Sequence, residues 1–129
     1  MASVLGLIAL AIGATTGAAA TPVPLSSAVA AAAEVQVFAY CNADGSYSFN
    51  AVGHGFAARS KQTIYSVSTS NYYGGGSSRY TEGHGNLYAS SSGFITTPTY
   101  YSEADSRRET IAVKVVIGGV SGTDSANCD

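Results

Sequence analysis

The chain contains 129 residues with a formal net charge of -2, 46% hydrophobic residues and 11% charged residues. This length allows one ordinary domain. The acidic balance argues against nucleic acid as the partner, because a phosphate-binding surface needs a basic excess. Charged residues are sparse, since about a quarter of the residues in a soluble globular protein usually carry a charge. Composition alone therefore names neither a reaction nor a ligand.

The first 33 residues form an uncharged, Ala-rich leader, and all nine Tyr residues lie after it. Residues 4–12 are apolar over the length of a signal-peptide core, and the Ala run at 18–20 supplies the small residues of a cleavage site. Two prolines follow and end any helix there. We therefore predict a signal peptide over residues 1–20, although no Lys or Arg precedes its apolar core.

A retained membrane helix and a pilin-like assembly helix are the alternatives for the leader. Residues 4–20 are diluted by Gly and Thr, whereas a membrane span needs about 20 strongly apolar residues. Residues 21–33 are rich in Ala, Pro and Ser and offer little to pack, which is typical of a linker, a propeptide or a second cleavage region near residues 31–33. The folded domain is predicted over residues 34–129.

The body of the chain alternates between apolar and polar residues, as half-buried strands do. The turn signal Asp44-Gly45 separates the first two predicted strands, and the triple glycine at 74–76 predicts a second loop. The stretch 120–123 is predicted to be a closing loop. No later stretch carries a helical apolar stripe, so about seven short strands predict a β-sandwich. The predicted strands are 35–41, 47–51, 62–69, 79–82, 86–90, 93–97 and 109–117.

Two cysteines are placed to link the two ends of this body. Cys41 ends the first predicted strand, and Cys128 is the penultimate residue. In an exported protein an even number of cysteines favours a disulfide. We expect a Cys41–Cys128 bond that closes a loop of nearly the whole domain, with two free thiols as the alternative for a cytosolic chain.

One segment between two predicted strands carries a recognisable pattern. It reads Gly53-His54-Gly55-Phe56-Ala57-Ala58-Arg59-Ser60 and leads into the predicted strand 62–69. This Gly-x-Gly-Phe-x-x-x-Ser step resembles the turn of bacterial extracellular immunoglobulin-like modules, and chromophore carriers of the neocarzinostatin type share a related sandwich. The resemblance implies an all-β, immunoglobulin-like antiparallel β-sandwich and assigns no site residues.

The two histidines are candidates for metal or catalytic chemistry. His54 and His84 each lie between two glycines, and together with Glu82 they offer the side chains of a metal site. Exposed rings in plain turns are the simpler interpretation. A serine hydrolase would also need one of these histidines as its base, but no Gly-x-Ser-x-Gly motif is present.

Carboxylates give no stronger catalytic signal. Asp44, Asp105 and Asp124 are the candidates to orient a catalytic histidine. Glu103 and Asp105 form a pair of the kind that glycosidases use. They precede Arg107-Arg108, however, and that pattern is typical of a solvated, charge-balanced loop. We predict a protein without catalytic residues, metal or cofactor.

The distribution of tyrosines is the most informative feature for function. Tyr72 and Tyr73 precede the triple glycine, and Tyr100 and Tyr101 follow Pro98. Both pairs lie in predicted loops rich in Ser, Thr, Asn and Gly, a composition typical of binding surfaces. We predict these four tyrosines as the ligand-binding residues, with packing of one ring of each pair on the core as the structural alternative.

These features together predict a small secreted, non-catalytic extracellular module that binds a protein or a glycan, or serves a structural role. It should bind no nucleic acid, and it should have no membrane contact once the signal peptide is removed. A small secreted enzyme or enzyme inhibitor is one alternative, and a subunit of an extracellular filament is another. A cleft that gathers His54 or His84 with a carboxylate would favour an enzyme.

Overall fold

A computed structural model describes residues 32–129, which form two antiparallel sheets packed against each other. One sheet contains β1 (Glu34–Cys41), β2 (Tyr47–His54), β5 (Ile95–Thr96) and β6 (Tyr100–Ser102), with β5 and β6 both paired to β2. The other contains β3 (Lys61–Tyr72), β4 (Ser77–Tyr88), β7 (Arg108–Ile117) and β8 (Val120–Asn127), in the order β4-β3-β7-β8. The predicted all-β class is confirmed, with eight strands in residues 32–129 instead of about seven.

The predicted signal peptide (1–20) and residues 21–31 of the predicted linker lie outside the described residues. Residues 32 and 33 have no regular structure, and β1 begins at Glu34, the first charged residue of the sequence. Within residues 32–129, no helix has the length and apolar character needed to cross a bilayer.

The core lies between β2 and β7, the two strands with the clearest alternation in the sequence. On β7, Ile111, Val113, Val115 and Ile117 are fully buried, and the residues between them face outward or are partly exposed, apart from Val116. The core-facing residues of the other sheet include Val37, Ala39, Tyr47, Phe49 and Ala51. Period-2 alternation therefore predicted correctly which face of these strands is buried.

β1 and β8 close one side of the sandwich. The disulfide Cys41–Cys128 joins the end of β1 to the residue after β8 and confirms the predicted pairing. The Ala39 amide on β1 donates a hydrogen bond to Asp124 Oδ2 on β8, at 2.8 Å. Nearby, a Cβ on Gly122 would collide with the Val35 carbonyl, so glycine permits the close approach of the two strands.

β8 corrects the prediction that 120–123 is a closing loop. Its sequence alternates small polar residues with Gly and Ala and lacks the β-branched runs that mark strands. It is nevertheless a strand because it pairs with β7 along its whole length, from Val120 to Asn127. Pairing with a strongly hydrophobic neighbour determines this strand, which its own composition does not indicate.

A bulge explains why the sequence predicts two strands, 79–82 and 86–90, where the structure has the single strand β4. The register between β3 and β4 shifts next to the Gly83-His84-Gly85 stretch, where β4 contains one extra residue. Gly85 has φ +78°, the left-handed conformation that glycine adopts at such bulges. The interpretation of His84 as a turn residue is therefore wrong, since it lies inside a continuous strand.

Candidate functional site

A groove of about 430 Å³ opens on the side of the sandwich where β4 faces β6. Tyr80 and Glu82 of β4 line one wall, and the segment 101–105 lines the other. The floor is formed by Tyr47 and Phe49 of β2, Ser68 of β3 and Arg108 of β7. Its volume lies within the range of ligand-binding pockets, about 300 to 1,000 Å³.

The inner face of the β4-β3-β7 layer changes from apolar to polar toward this groove. The inward residues of β7 are aliphatic, whereas the facing positions of β3 are Ser66, Ser68 and Ser70, all buried. Opposite them on β4 lie Ser78, Tyr80 and Glu82. At these three positions the core therefore ends at β3, and polar groups line the space between the sheets at this edge, whereas Leu87 further along β4 still packs against the core.

His84 lies beside the groove in a cluster of aromatic rings. Its ring stacks on that of Tyr100, with centroids 3.8 Å apart and an interplanar angle of 22°. The Phe49 ring meets the His84 ring edge-on, with centroids 6.1 Å apart and an interplanar angle of 66°. His84 Nε2 lies 2.8 Å from the Ser66 hydroxyl. Burial lowers the pKa of His84, and the nearby negative charge of Glu82 opposes this shift in part.

This lowered pKa predicts that stability falls when the pH drops below about 6.5, the pKa of an unperturbed histidine. The unfolded chain then binds a proton at His84 that the folded chain resists, so acid favours unfolding. We expect the midpoint of urea unfolding to be lower at about pH 5.5 than at about pH 7.5. The lowered pKa of Asp105, about 2, affects stability only at a lower pH.

The matched variants are His84→Gln and His54→Gln. His84→Gln should reduce the difference between the two pH values because it removes the titrating group. His54→Gln should leave most of the difference in place, since His54 is exposed at the end of β2. An equal pH dependence in wild type and His84→Gln would contradict this explanation.

The histidines and carboxylates do not assemble into the catalytic or metal sites considered from the sequence. His54 lies 3.3 Å from Glu34 and against Phe94, whereas His84 contacts Ser66 and Tyr100. Among residues 32–129, no group of three or more His, Cys, Asp or Glu side chains could hold a metal ion. The Ser66 hydroxyl beside His84 belongs to a residue only 2% exposed, and a substrate has no access to it.

The three candidate orienting carboxylates have other partners. Asp44 accepts hydrogen bonds from the backbone and side chain of Ser46 in the β1–β2 turn, and these bonds lower its pKa. Asp105 forms a two-pronged ion pair with Arg107, at 3.0 and 2.9 Å. Asp124 accepts from the Ala39 amide. Each carboxylate therefore has a local structural role.

The prediction that both tyrosine pairs lie in loops is wrong for three of the four residues, because Tyr72 ends β3 and Tyr100 and Tyr101 lie in β6. The four rings separate into two exposed and two partly buried ones. Tyr73 and Tyr101 are exposed, and Tyr101 lines the groove. The Tyr72 hydroxyl lies 2.6 Å from Ser78 Oγ. Tyr100 stacks on His84. The loop that follows the 101–105 segment lies against the other tyrosine pair. Arg107 in this loop lies over the Tyr72 ring, and the Arg107 carbonyl accepts a hydrogen bond from the Tyr73 amide.

Of the residues that line the groove, only Tyr101 was predicted from the sequence as a binding residue, and the others were missed, among them Ser68, Tyr80, Glu82 and Arg108. The prediction that Glu103 to Arg108 form one solvated loop is wrong for Arg108, which is 8% exposed and begins β7. A register shift between β3 and β7 next to Tyr72 turns Arg108 to the inner face. The sequence did contain an indication for Tyr80, because Tyr80 and Glu82 are two positions apart in a predicted strand and therefore lie on the same face of it.

Comparison with known proteins assigns no function to the chain. No protein-family model matches it, and no curated protein matches it. Among solved structures, the solution structure of R. palustris CsgH aligns with 76% of this chain and 92% of that chain, at 16% sequence identity and a TM-score of 0.42. The function of this chain is therefore inferred from its own groove.

Proposed function

We propose that the protein is a secreted, non-catalytic binding module with an immunoglobulin-like fold, whose ligand lies in the groove between β4 and β6. The observation that carries the proposal is the pair of exposed rings in this groove, Tyr80 at 59% and Tyr101 at 81% exposed. Large exposed rings flanked by polar groups supply contact area at low entropic cost. The other groove residues offer carboxylates and hydroxyls that orient a ligand.

The order of the strands supports the immunoglobulin-like fold. The two sheets, β1-β2-β5/β6 and β4-β3-β7-β8, correspond in strand order to the A-B-E and C′-C-F-G sheets of that architecture. The segment that resembles immunoglobulin-like modules forms the connection from β2 to β3. There the Phe56 amide donates to the Gly93 carbonyl, and the Phe56 ring packs on the core.

Export is supported by the disulfide together with the leader. A bond that links residues 87 positions apart persists in oxidising compartments, whereas the cytosol keeps thiols reduced. The apolar core of residues 4–12 and the small residues at 18–20 are the features of a cleavable signal. The two features together support an extracellular or periplasmic location.

A fragment screen with probes of different charge tests the binding function. Amide resonances of the isotopically labelled full chain are followed while neutral, cationic and anionic fragments are added. We expect the shifts to gather at Tyr80, Glu82 and Tyr101. Tyr80→Ala and Tyr101→Ala should each weaken the binding of these fragments, because each removes one wall of the groove.

Tyr88→Ala is the matched control for this screen. Tyr88 lies on the same strand as Tyr80 and is exposed to a similar degree, but it does not line the groove. Its replacement should leave fragment binding unchanged. Shifts that gather elsewhere on the domain, or equal losses in Tyr88→Ala and Tyr80→Ala, would contradict the proposed site.

A further inference from the structure

The floor of the groove contains a buried hydroxyl that has no hydrogen-bond partner among the described residues. Of the three inward serines of β3, Ser66 pairs with His84, and Ser70 accepts from Arg108 Nε at 2.8 Å. Ser68 lies between them, is 4% exposed and lines the groove. No hydrogen bond from residues 32–129 reaches its hydroxyl. Buried polar groups without partners are costly, so this position is suited to a polar group of a ligand.

The walls of the groove present aromatic faces, and the same protein already covers two other tyrosine rings with guanidinium groups. Arg107 lies 5.0 Å from the centroid of the Tyr72 ring, and Arg108 lies 4.8 Å from that of Tyr47. Within the described residues, no cation covers Tyr80 or Tyr101. Ring faces attract cations because of their quadrupole, so the exposed rings of Tyr80 and Tyr101 are suited to a cation from a ligand.

The residues that line the groove are acidic on balance, with Glu82, Glu103 and Asp105 against Arg108, and this balance favours a cation. Glu82 and Glu103 line the groove and are exposed, and neither forms an ion pair among residues 32–129. Asp105 is neutralised by Arg107. Arg108 directs its nitrogens toward Ser70 and two backbone carbonyls. Two carboxylates thus remain available to an ammonium or guanidinium group, which forms charge-assisted hydrogen bonds with them.

The edge of the sheet beside the groove favours a polypeptide as the source of that cation. β4 is 12 residues long and is the outermost strand of its sheet, so one edge of its backbone has no partner strand in the described chain. Extended peptides pair with such edges through main-chain hydrogen bonds. Alternate side chains of a paired peptide point to the inner face, which here is the groove.

We propose that an extended segment of a partner protein pairs with the free edge of β4 and inserts a Lys or Arg side chain into the groove. This inference rests on the proposed binding function and adds the class of partner. The apolar stem of the inserted side chain lies against Tyr80 and Tyr101, as long charged side chains do on aromatic surfaces. The cation is held by Glu82 and Glu103, and the Ser68 hydroxyl accepts a hydrogen bond from it.

The test uses the isotopically labelled full chain and four probes. The first probe is an acetylated, amidated peptide of alternating Thr and Lys, and the second replaces every Lys by Gln. The third is the Thr–Lys peptide with alternate amides N-methylated, which prevents edge pairing. The fourth is a chitin oligosaccharide, which stands for a glycan. We expect the Thr–Lys peptide to shift Tyr80, Glu82 and Tyr101, and to bind about tenfold more tightly than the Gln peptide.

The variant Glu82→Gln/Glu103→Gln should bind the Thr–Lys peptide about tenfold more weakly than wild type does. Added salt should weaken the binding of this peptide to wild type. Glu109→Gln is the matched control, because Glu109 is an exposed carboxylate on β7 outside the groove. Its affinity for the peptide should equal that of wild type. N-methylation should abolish binding, since the proposal requires main-chain pairing.

Equal affinity for the Lys and Gln peptides, or unchanged affinity in the double Gln variant, would overturn the role of the cation. Undiminished binding of the N-methylated peptide would overturn pairing with β4. Binding of the chitin oligosaccharide in the groove without binding of the Thr–Lys peptide would overturn this inference and leave the proposed function in place. Failure of the peptides and of every fragment to reach the groove would overturn both.

Discussion

Replacement of Cys41 and Cys128 together by serine is expected to lower the free energy of unfolding by about 4 to 5 kcal/mol. The bond joins residues separated by 87 positions, so it constrains almost the entire domain in its unfolded state. Removal of that constraint raises the entropy of the unfolded chain and so lowers stability. This decrease in stability grows with the length of the loop that the bond closes. An effect of this size is a large part of the stability of a domain of this length.

In the native state, we expect loss of the disulfide to loosen the structure mainly where β1 meets β8. Cys41 and Cys128 end these strands, and the Asp124–Ala39 hydrogen bond is a neighbouring link between them. Urea unfolding of the oxidised wild type, the reduced wild type and the double variant provides the measurement. The reduced wild type and the double variant should unfold at similar urea concentrations. A midpoint of the double variant equal to that of the oxidised protein would show that the bond contributes nothing.

The strands with strong alternation were predictable, and the errors arose where pairing with another strand determines the structure. β7 carries its own hydrophobic pattern, and the prediction of 109–117 differs from the observed Arg108–Ile117 by one residue. β8 carries no such pattern and exists because β7 offers a free edge. The Gly83-His84-Gly85 stretch predicts a break because glycine usually marks turns, although a bulge uses glycine within one strand.

The candidate site was predictable only in part because its residues come from five strands or loops distant in the sequence. Alternation along a strand does predict that one ring of each adjacent tyrosine pair is more buried than the other, as it is for Tyr100 and Tyr101. It does not indicate that Tyr101 faces Tyr80 across one groove. Whether the four predicted tyrosines bind a ligand stays a prediction, which the Tyr101→Ala variant tests for the one that lines the groove.

Arg107 and Arg108 show why residue type alone does not predict burial. Their charge predicts one solvated loop for both, yet Arg107 is exposed and Arg108 is buried. The period-2 pattern of β7 places even-numbered positions such as Thr110 away from the core. One extra residue in β7, opposite the end of β3, reverses that alternation and turns Arg108 inward. No glycine or other residue typical of a bulge indicates its position in the sequence here.

Replacement of the buried Arg108 by methionine is expected to lower the free energy of unfolding by about 3 kcal/mol. Its Nε donates to the Ser70 hydroxyl at 2.8 Å, and its Nη1 donates to the carbonyls of Gly45 and Glu103. Methionine fills much of the same space but donates no hydrogen bond, so these acceptors lose partners in a poorly hydrated place. Contact between the guanidinium and the Tyr47 ring is also lost.

Arg107→Met is the control, because it replaces an adjacent residue of the same type in an exposed position. Arg107 pairs with Asp105 at the surface, and exposed ion pairs contribute little to stability. Arg108→Lys should fall between the two, since an ammonium group keeps the charge but lacks the planar fork that serves Ser70 and the two carbonyls. Urea unfolding should therefore rank the midpoints as wild type and Arg107→Met highest, then Arg108→Lys, then Arg108→Met. The hydrogen bonds of Arg108 indicate that it holds the β1–β2 turn, β3 and the 103–107 loop together. Equal midpoints for Arg107→Met and Arg108→Met would contradict this role.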